Sequence, residues 1–75
     1  MARPYRYVLC VKNRGYPAAL EVRKVYRVLP DLSAERRGLT RVVDESGEDY
    51  LYPAGFFVAI EVPRKAVGVF VKKTA

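Results

Sequence analysis

Apolar and polar residues alternate along this chain in short runs, and Pro, Gly or Asn interrupts the alternation every few residues. Strand side chains point alternately to opposite faces, so this period of two predicts β-strands. The turn-forming residues between the runs predict short connections. The expected strands cover five ranges, residues 5–12, 24–29, 39–44, 49–52 and 57–62.

The first run is largely apolar at both its odd-numbered and its even-numbered positions, over residues 5–11. A strand that buries side chains on both faces is expected in the middle of a sheet, so we predict that this run is a central strand. The later strands are expected to add Leu51, Val58 and Ile60 to the core.

Helical signals are confined to the connection between the second and third strands, at residues 31–38. Asp31 or Ser33 can cap a first turn, and Gly38 can end it. The segment is too short to be a stable helix alone, so one or two turns are expected. The Glu-Ser-Gly-Glu sequence at 45–48 predicts a hairpin loop whose glycine adopts a positive φ.

A single domain is expected over residues 1–75, with a core at about 5–62 and a tail at 63–75. Hydrophobic residues make up 51% of the chain, which is enough for a compact core. Pro63 favours the first turn of a short helix in the tail. The β-branched residues at 67–71 suit a strand instead, and both alternatives stay open.

Several chemistries are excluded by composition. One cysteine and no histidine rule out an internal disulfide and nearly every zinc arrangement. Cys10 lies among apolar residues, which predicts a buried, inert thiol. The acidic residues at 44–49 lack the spacing of a calcium loop and are interpreted as a solvated hairpin tip. No nucleophile motif is present, so we expect neither enzymatic activity nor a cofactor.

No apolar run approaches the roughly 20 residues that cross a bilayer. The Met-Ala-Arg-Pro-Tyr-Arg start also lacks the apolar stretch of a secretory signal. We therefore expect a cytoplasmic protein that does not bind membranes.

The formal net charge is +6 and it is unevenly distributed. Residues 1–30 carry seven basic side chains against one acidic, whereas residues 31–62 carry three against seven. The basic N-terminal third is either a solvated surface or a site for an anionic partner such as single-stranded nucleic acid. For the second alternative, the expected footprint combines cations with tyrosine rings: Lys12, Arg14, Arg23, Arg27, Tyr7 and Tyr26. Arg23 and Arg27 are expected to project from the same strand face.

The segment Tyr-Leu-Tyr-Pro-Ala-Gly-Phe-Phe-Val-Ala-Ile, at residues 50–60, holds a proline, two small residues and an aromatic between two apolar strands. Ala54 and Gly55 allow a tight connection of roughly one 3₁₀ turn. The order of a proline, two small residues and an aromatic resembles the last two strands of Src-homology-3-like small barrels. Residues 20–28 resemble the segment of that family leading into its second strand, and the chain looks like a group of short uncharacterised bacterial proteins of this type. The resemblance implies an all-β, five-stranded Src-homology-3-like small barrel with short helical turns.

Arg23 stands where a glycine is common in the family, which suggests a turn that needs no positive φ. Peptide-binding relatives use tyrosines of the first loop, a tryptophan, and the proline and aromatic of the last turn. Pro53 and Phe56 match that set, but the chain has no tryptophan. The two matching residues are either ligand contacts or a turn former and a core side chain. We expect a non-catalytic binding or assembly module that binds a protein partner or itself, with nucleic acid as the alternative partner.

Overall fold

The computed structural model describes residues 6–63, and in that range the chain is mostly β. Each predicted strand is found, and its ends lie within two residues of the expected ones. The strands are β1 (Arg6–Cys10), β2 (Val25–Leu29), β3 (Leu39–Val43), β4 (Asp49–Pro53) and β5 (Phe57–Ile60). A short helix, α1 (Leu32–Arg36), lies between β2 and β3, and a 3₁₀ turn (Ala54–Phe56) joins β4 to β5.

The five strands form one antiparallel sheet in the order β4-β3-β2-β1-β5. β1 pairs with β2 on one side and with β5 on the other, which confirms the prediction of a central first strand. β4 and β5 are the two edges, so the sheet is open over the described residues rather than closed into a barrel.

The predicted turns are also present. The Oδ1 atom of Asp31 accepts a hydrogen bond from the Ala34 amide at 3.0 Å and caps α1. Gly38 follows the helix with φ +77°, and Gly47 has φ +87° in the β3–β4 hairpin. Only glycine adopts these angles without strain, which is why the chain turns there.

The core lies on one face of the sheet. The register opposes Val8 to Tyr26 and Val28 to Val42, so alternate residues of neighbouring strands meet on this face. The buried cluster also takes in Leu20 from the loop that connects β1 to β2. Its members are Val8, Cys10, Leu20, Tyr26, Val28, Val42 and Tyr52.

The prediction that Leu51, Val58 and Ile60 belong to the core is wrong, because these residues of the last two strands do not face it. Val58 is 51% exposed, and Leu51 and Ile60 are only half-buried. Phe57 opposes Cys10 in the register, so the residues of β5 that share the core face are Phe57 and Ala59, not Val58 and Ile60. Both alternating sets of residues in this strand are apolar, so either could face the core. Pairing with β1 places Phe57 and Ala59 there, and the sequence prediction had chosen the other set.

Arg23 corrects a second expectation, because it has φ +78° and is the one non-glycine residue with a positive φ in the described part of the chain. Its amide donates to the Cys10 carbonyl at 2.7 Å, which closes the loop onto the end of β1. The turn therefore needs the left-handed conformation after all, although arginine stands in it.

The tail at 63–75 lies outside the described residues apart from Pro63, and so do its two alternative conformations. No helix within residues 6–63 has both the length and the apolar character required to span a bilayer.

Candidate functional site

A cluster of aromatic rings lies where the long first loop, β4 and the 3₁₀ turn meet. Tyr16 is central to it: its ring centroid is 4.9 Å from that of Tyr52, 6.5 Å from that of Tyr50 and 6.2 Å from that of Phe56. Tyr50 and Tyr52 are themselves 5.2 Å apart. These four residues are called the aromatic patch below. Tyr52 is buried beneath it, while Tyr50 is 54% and Tyr16 is 36% exposed.

Strand alternation places two of these rings together. Tyr50 and Tyr52 are two residues apart in β4, so both point to the face that carries the core. Tyr50 pairs with Val42, and the Val42 side chain is fully buried. Tyr50 lies close to the hairpin end of β4, where less of the core covers it, and its ring remains accessible.

The first loop is folded against itself, and this holds Tyr16 over the sheet. The Tyr16 amide donates to the Asn13 carbonyl at 2.8 Å, and the Tyr16 carbonyl accepts from the Leu20 amide at 3.0 Å. The Asn13 side chain donates to the Leu20 carbonyl at 2.9 Å, while Leu20 itself is buried in the core. Gly15 supplies the positive φ that this turn requires.

Phe56 connects the patch to the basic end of the first loop. Its carbonyl accepts hydrogen bonds from the amides of Val11 at 2.7 Å and Lys12 at 3.3 Å. The half-buried ring of Phe56 packs against the core cluster and against Tyr16. Phe56 is therefore a core side chain, as one of the two alternatives predicts, and its half-buried ring also contacts Tyr16.

Two acidic residues of the β3–β4 hairpin accept hydrogen bonds from the hydroxyls of the buried tyrosines. The Tyr52 hydroxyl donates to Asp44 at 2.6 Å, and the Tyr26 hydroxyl donates to Glu45 at 2.6 Å. Burial, and then the adjacent carboxylate, raises the pKa of both phenols, so they remain protonated at neutral pH. The hairpin is thus more than a solvated tip, because these two carboxylates are structural acceptors.

The same contacts lower the pKa of both carboxyl groups. The ion pair with Lys24 at 2.8 Å, and then the bond from Tyr26, lowers the pKa of Glu45. Burial acts to raise the pKa of Asp44, but hydrogen bonds from Ser46 and Tyr52 outweigh it, and the net shift is downward. Both groups are therefore ionised at neutral pH.

The tyrosines predicted to stack on bases are not available for stacking. Tyr7 is 3% and Tyr26 is 5% exposed. Tyr26 belongs to the core and directs its hydroxyl to Glu45, and Tyr7 is covered on the opposite face of the sheet. The mixture of tyrosine and arginine in these strands reflects burial of alternate residues, which corrects the predicted footprint.

The four predicted basic residues occupy different environments. Lys12, Arg14 and Arg23 are exposed and take part in none of the ion pairs found among residues 6–63, whereas Arg27 is half-buried. Arg23 precedes β2 and lies in the positive-φ turn, so it does not share a strand face with Arg27 as expected. Lys12 and Arg14 are exposed in the first loop, four and two residues before Tyr16.

The described part of the chain has one cysteine, Cys10, and it is buried. Cys10 is fully buried, and burial raises the pKa of its thiol, in agreement with the predicted inert cysteine. Its Sγ donates to the Lys12 carbonyl at 3.2 Å. Between residues 6 and 63, no group of three or more His, Cys, Asp or Glu side chains is arranged to hold a metal ion.

Sequence reasoning missed Tyr16, Tyr50 and Tyr52 as candidate site residues. A usable signal was present at Tyr16, since a large aromatic in the Gly-Tyr-Pro sequence of a polar loop has no strand face to fill. For Tyr50 the signal was weaker, because alternation alone accounts for an aromatic at that position.

No protein-family model, curated protein or solved structure matches this chain. Its function is therefore inferred from the residues and contacts described above.

Proposed function

We propose that this protein is a non-catalytic binding module of the Src-homology-3-like small-barrel type, and that it binds a protein partner on the aromatic patch. The observation that carries the proposal is the contiguous set of rings formed by Tyr16, Tyr50 and Phe56 over the buried Tyr52.

The barrel type is supported by connectivity. A central first strand lies between β2 and β5, and a proline followed by one 3₁₀ turn leads from β4 into β5. Arg23 adds a further point of agreement, because it takes the positive φ that the family's glycine at this position readily adopts.

The binding role of the patch is supported by exposure and by residue type. Tyrosine combines a large apolar area with a polar tip and loses little conformational entropy on binding, which is why it is enriched at interfaces. Neighbouring rings in the patch are inclined at 55° to 86° to each other. Rings inclined in this way offer both faces and edges to the side chains of a partner.

Affinity capture from a lysate of the source organism tests this proposal, with quantitative mass spectrometry as the readout and with nuclease treatment in a parallel sample. Wild-type protein should retain a protein that the Tyr16→Ala/Tyr50→Ala double variant and the milder Tyr50→Ala variant both lose. Leu32→Ala is the matched control, since Leu32 is 69% exposed on α1 and makes no ring contact. Equal capture by all variants would contradict the proposal.

Nucleic acid remains the second candidate, and the exposed, unpaired cations Lys12, Arg14 and Arg23 favour it within the described residues. The buried rings of Tyr7 and Tyr26 weigh against it. Phosphate contacts give a steep salt dependence, so a salt titration with a single-stranded oligonucleotide separates this candidate from a protein partner. Absence of binding at low salt would eliminate it.

A further inference from the structure

The surroundings of the aromatic patch carry opposite charges on two sides. Lys12 and Arg14 precede Tyr16 in the first loop, the Lys12 amide donates to the Phe56 carbonyl at 3.3 Å, and neither cation has an acidic partner among residues 6–63. On the side of Tyr50 and Tyr52 lies the acidic hairpin at 44–49. A ligand that crosses the patch therefore meets a positive region at one side and a negative region at the other.

Two of the four hairpin carboxylates are paired with cations of the protein. Glu45 pairs with Lys24 and Asp49 pairs with Arg41, both at 2.8 Å. Asp44 accepts hydrogen bonds from the neutral Tyr52 and Ser46 side chains, and neither Asp44 nor Glu48 takes part in an ion pair among residues 6–63. The cations of the first loop are not engaged in this way. The uncompensated positive charge therefore lies on the first-loop side of the patch, and a complementary ligand carries acidic groups on that side.

We propose, on the basis of the function proposed above, that the partner presents an extended acidic peptide segment. Its carboxylates lie against Lys12 and Arg14, and its aliphatic side chains pack on the rings of Tyr16, Tyr50 and Phe56. The apolar contacts supply most of the affinity, while the exposed charges select the partner and accelerate its association.

Ring geometry favours a peptide over single-stranded nucleic acid. Consecutive bases bind best to accessible ring faces that follow the strand, whereas the Tyr16 ring is inclined at 86° to that of Tyr52 and at 55° to that of Tyr50. A continuous phosphate backbone that crossed all the rings would also approach the acidic hairpin at 44–49. A peptide can restrict its negative charge to the basic side.

Selection from a displayed library of random peptides tests this inference. The baits are wild-type protein, the Lys12→Glu/Arg14→Glu variant, and an Arg36→Glu/Arg37→Glu variant that makes the same change of charge on exposed residues at the end of α1. Tyr50→Ala is the bait that removes an exposed ring of the patch. Circular dichroism confirms that each variant is folded.

Wild-type protein and the Arg36→Glu/Arg37→Glu variant should enrich peptides with an excess of Asp and Glu among aliphatic residues. The Lys12→Glu/Arg14→Glu variant should lose that excess, and it should bind the strongest synthesised acidic peptide about tenfold or more weakly than wild type. Replacing Glu by Gln in that peptide should weaken its binding to wild type in the same way.

The experiment distinguishes failure of the acidic-peptide inference from failure of the proposed function. Peptides that depend on Tyr50 but show no acidic excess would overturn the inference and leave the proposed function standing. Equal losses in the two charge-reversal variants would also overturn it, because the attraction would then come from overall charge. If wild type enriches nothing beyond the Tyr50→Ala bait, the proposed function fails as well. Tighter binding of oligothymidylate than of any selected peptide, or self-association through the patch in sedimentation, would replace the acidic peptide as occupant.

Discussion

At the scale of single residues, Tyr52 connects the core to the proposed binding surface. Its ring is buried in the main cluster, its hydroxyl donates to Asp44 at 2.6 Å, and its ring centroid lies 4.9 Å from that of Tyr16 in a T-shaped arrangement. A buried ring with a satisfied hydroxyl is a rigid support. The exposed rings above it are therefore held in place before a partner arrives, which reduces the entropy lost on binding.

The side-chain alternation of the sheet gives a direct stability prediction. Val42 is fully buried and Val58 is 51% exposed, so the same substitution at the two sites compares burial alone. Val42→Ala should lower the free energy of unfolding by about 2 kcal/mol. Val58→Ala should change it by no more than about 0.5 kcal/mol. Urea denaturation measures both, and equal losses would mean that the assigned alternation of β5 is incorrect.

Arg23 provides a second prediction at this scale. A residue with a Cβ atom is strained at φ +78°, and glycine is not. Arg23→Gly should raise the free energy of unfolding by about 0.5–1 kcal/mol, after the greater entropy of glycine in the unfolded chain is subtracted. Arg23→Ala is the matched control, because it removes the charge but keeps the Cβ atom. If the two variants show the same stability, the effect does not arise from the backbone.

Individual residues were predicted unevenly from the sequence. Cys10 was correctly expected to be buried, since its apolar neighbours leave little doubt in a central strand. Val58 and Ile60 were placed on the wrong face, because the apolar run Phe-Phe-Val-Ala-Ile allows two alternations and only pairing with β1 decides between them. Leu51 was misplaced because Tyr50 and Tyr52 occupy the core face of β4. The positive φ of Arg23 had no local signal, because arginine rarely adopts it.

At the scale of elements, the β3–β4 hairpin organises the candidate site. Asp44 and Glu45 hold one tyrosine each, and the Glu45 amide donates to the Ala19 carbonyl at 2.9 Å, which ties the first loop to the hairpin. The loop that carries Tyr16 is thus attached to the same hairpin that supports Tyr52. Loosening of the hairpin should therefore disturb both sides of the patch.

Lowering the pH should weaken the contacts of Asp44 and Glu45 and so destabilise the fold. The pKa values of Asp44 and Glu45 are lower in the folded protein than their ordinary values, so the folded state holds fewer protons than the unfolded chain at mildly acidic pH. The stability that these groups contribute is present above the unfolded pKa and is lost as the pH falls through the folded pKa. The free energy of unfolding should fall as the pH is lowered below about 5.

The Asp44→Asn/Glu45→Gln variant should show a shallower fall in urea denaturation across that range. Tyr26→Phe/Tyr52→Phe, which removes the two hydroxyl donors, should behave similarly. Part of the fall should remain in both variants, because the Ala34 amide and then Arg41 also lower the pKa of Asp31. A fall as steep as that of wild type in both variants would show that the two carboxylates do not couple folding to pH.

Elements were the most predictable level. Five strands, a capped short helix and the 3₁₀ turn all follow from local signals, since alternation, Asp31, Gly38 and Pro53 each act within a few residues. The candidate site was not predictable in this way. It combines Tyr16 of a loop with Tyr50 of a strand far along the chain, and only the folded loop brings their centroids to 6.5 Å.

At the scale of the whole molecule, charge and apolar surface have separate roles. The sheet buries one apolar cluster, and the rings at the loop end extend that cluster to the surface. Acidic residues of the middle segment pair with Arg6, Lys24 and Arg41, whereas Lys12 and Arg14, in the loop that carries Tyr16, take part in no ion pair within the described residues. An apolar surface with a charged border is the usual construction of a protein-binding site.

Chemical-shift mapping of the labelled protein with the partner that it captures tests the central claim most directly. On titration, the largest amide shifts should fall on residues 12–16, on β4 around Tyr50 and on the 3₁₀ turn around Phe56, and the shifts should disappear for Tyr16→Ala/Tyr50→Ala. Shifts that cluster instead on α1, or on the opposite face of the sheet around Val58, would contradict the assignment of the aromatic patch as the binding surface.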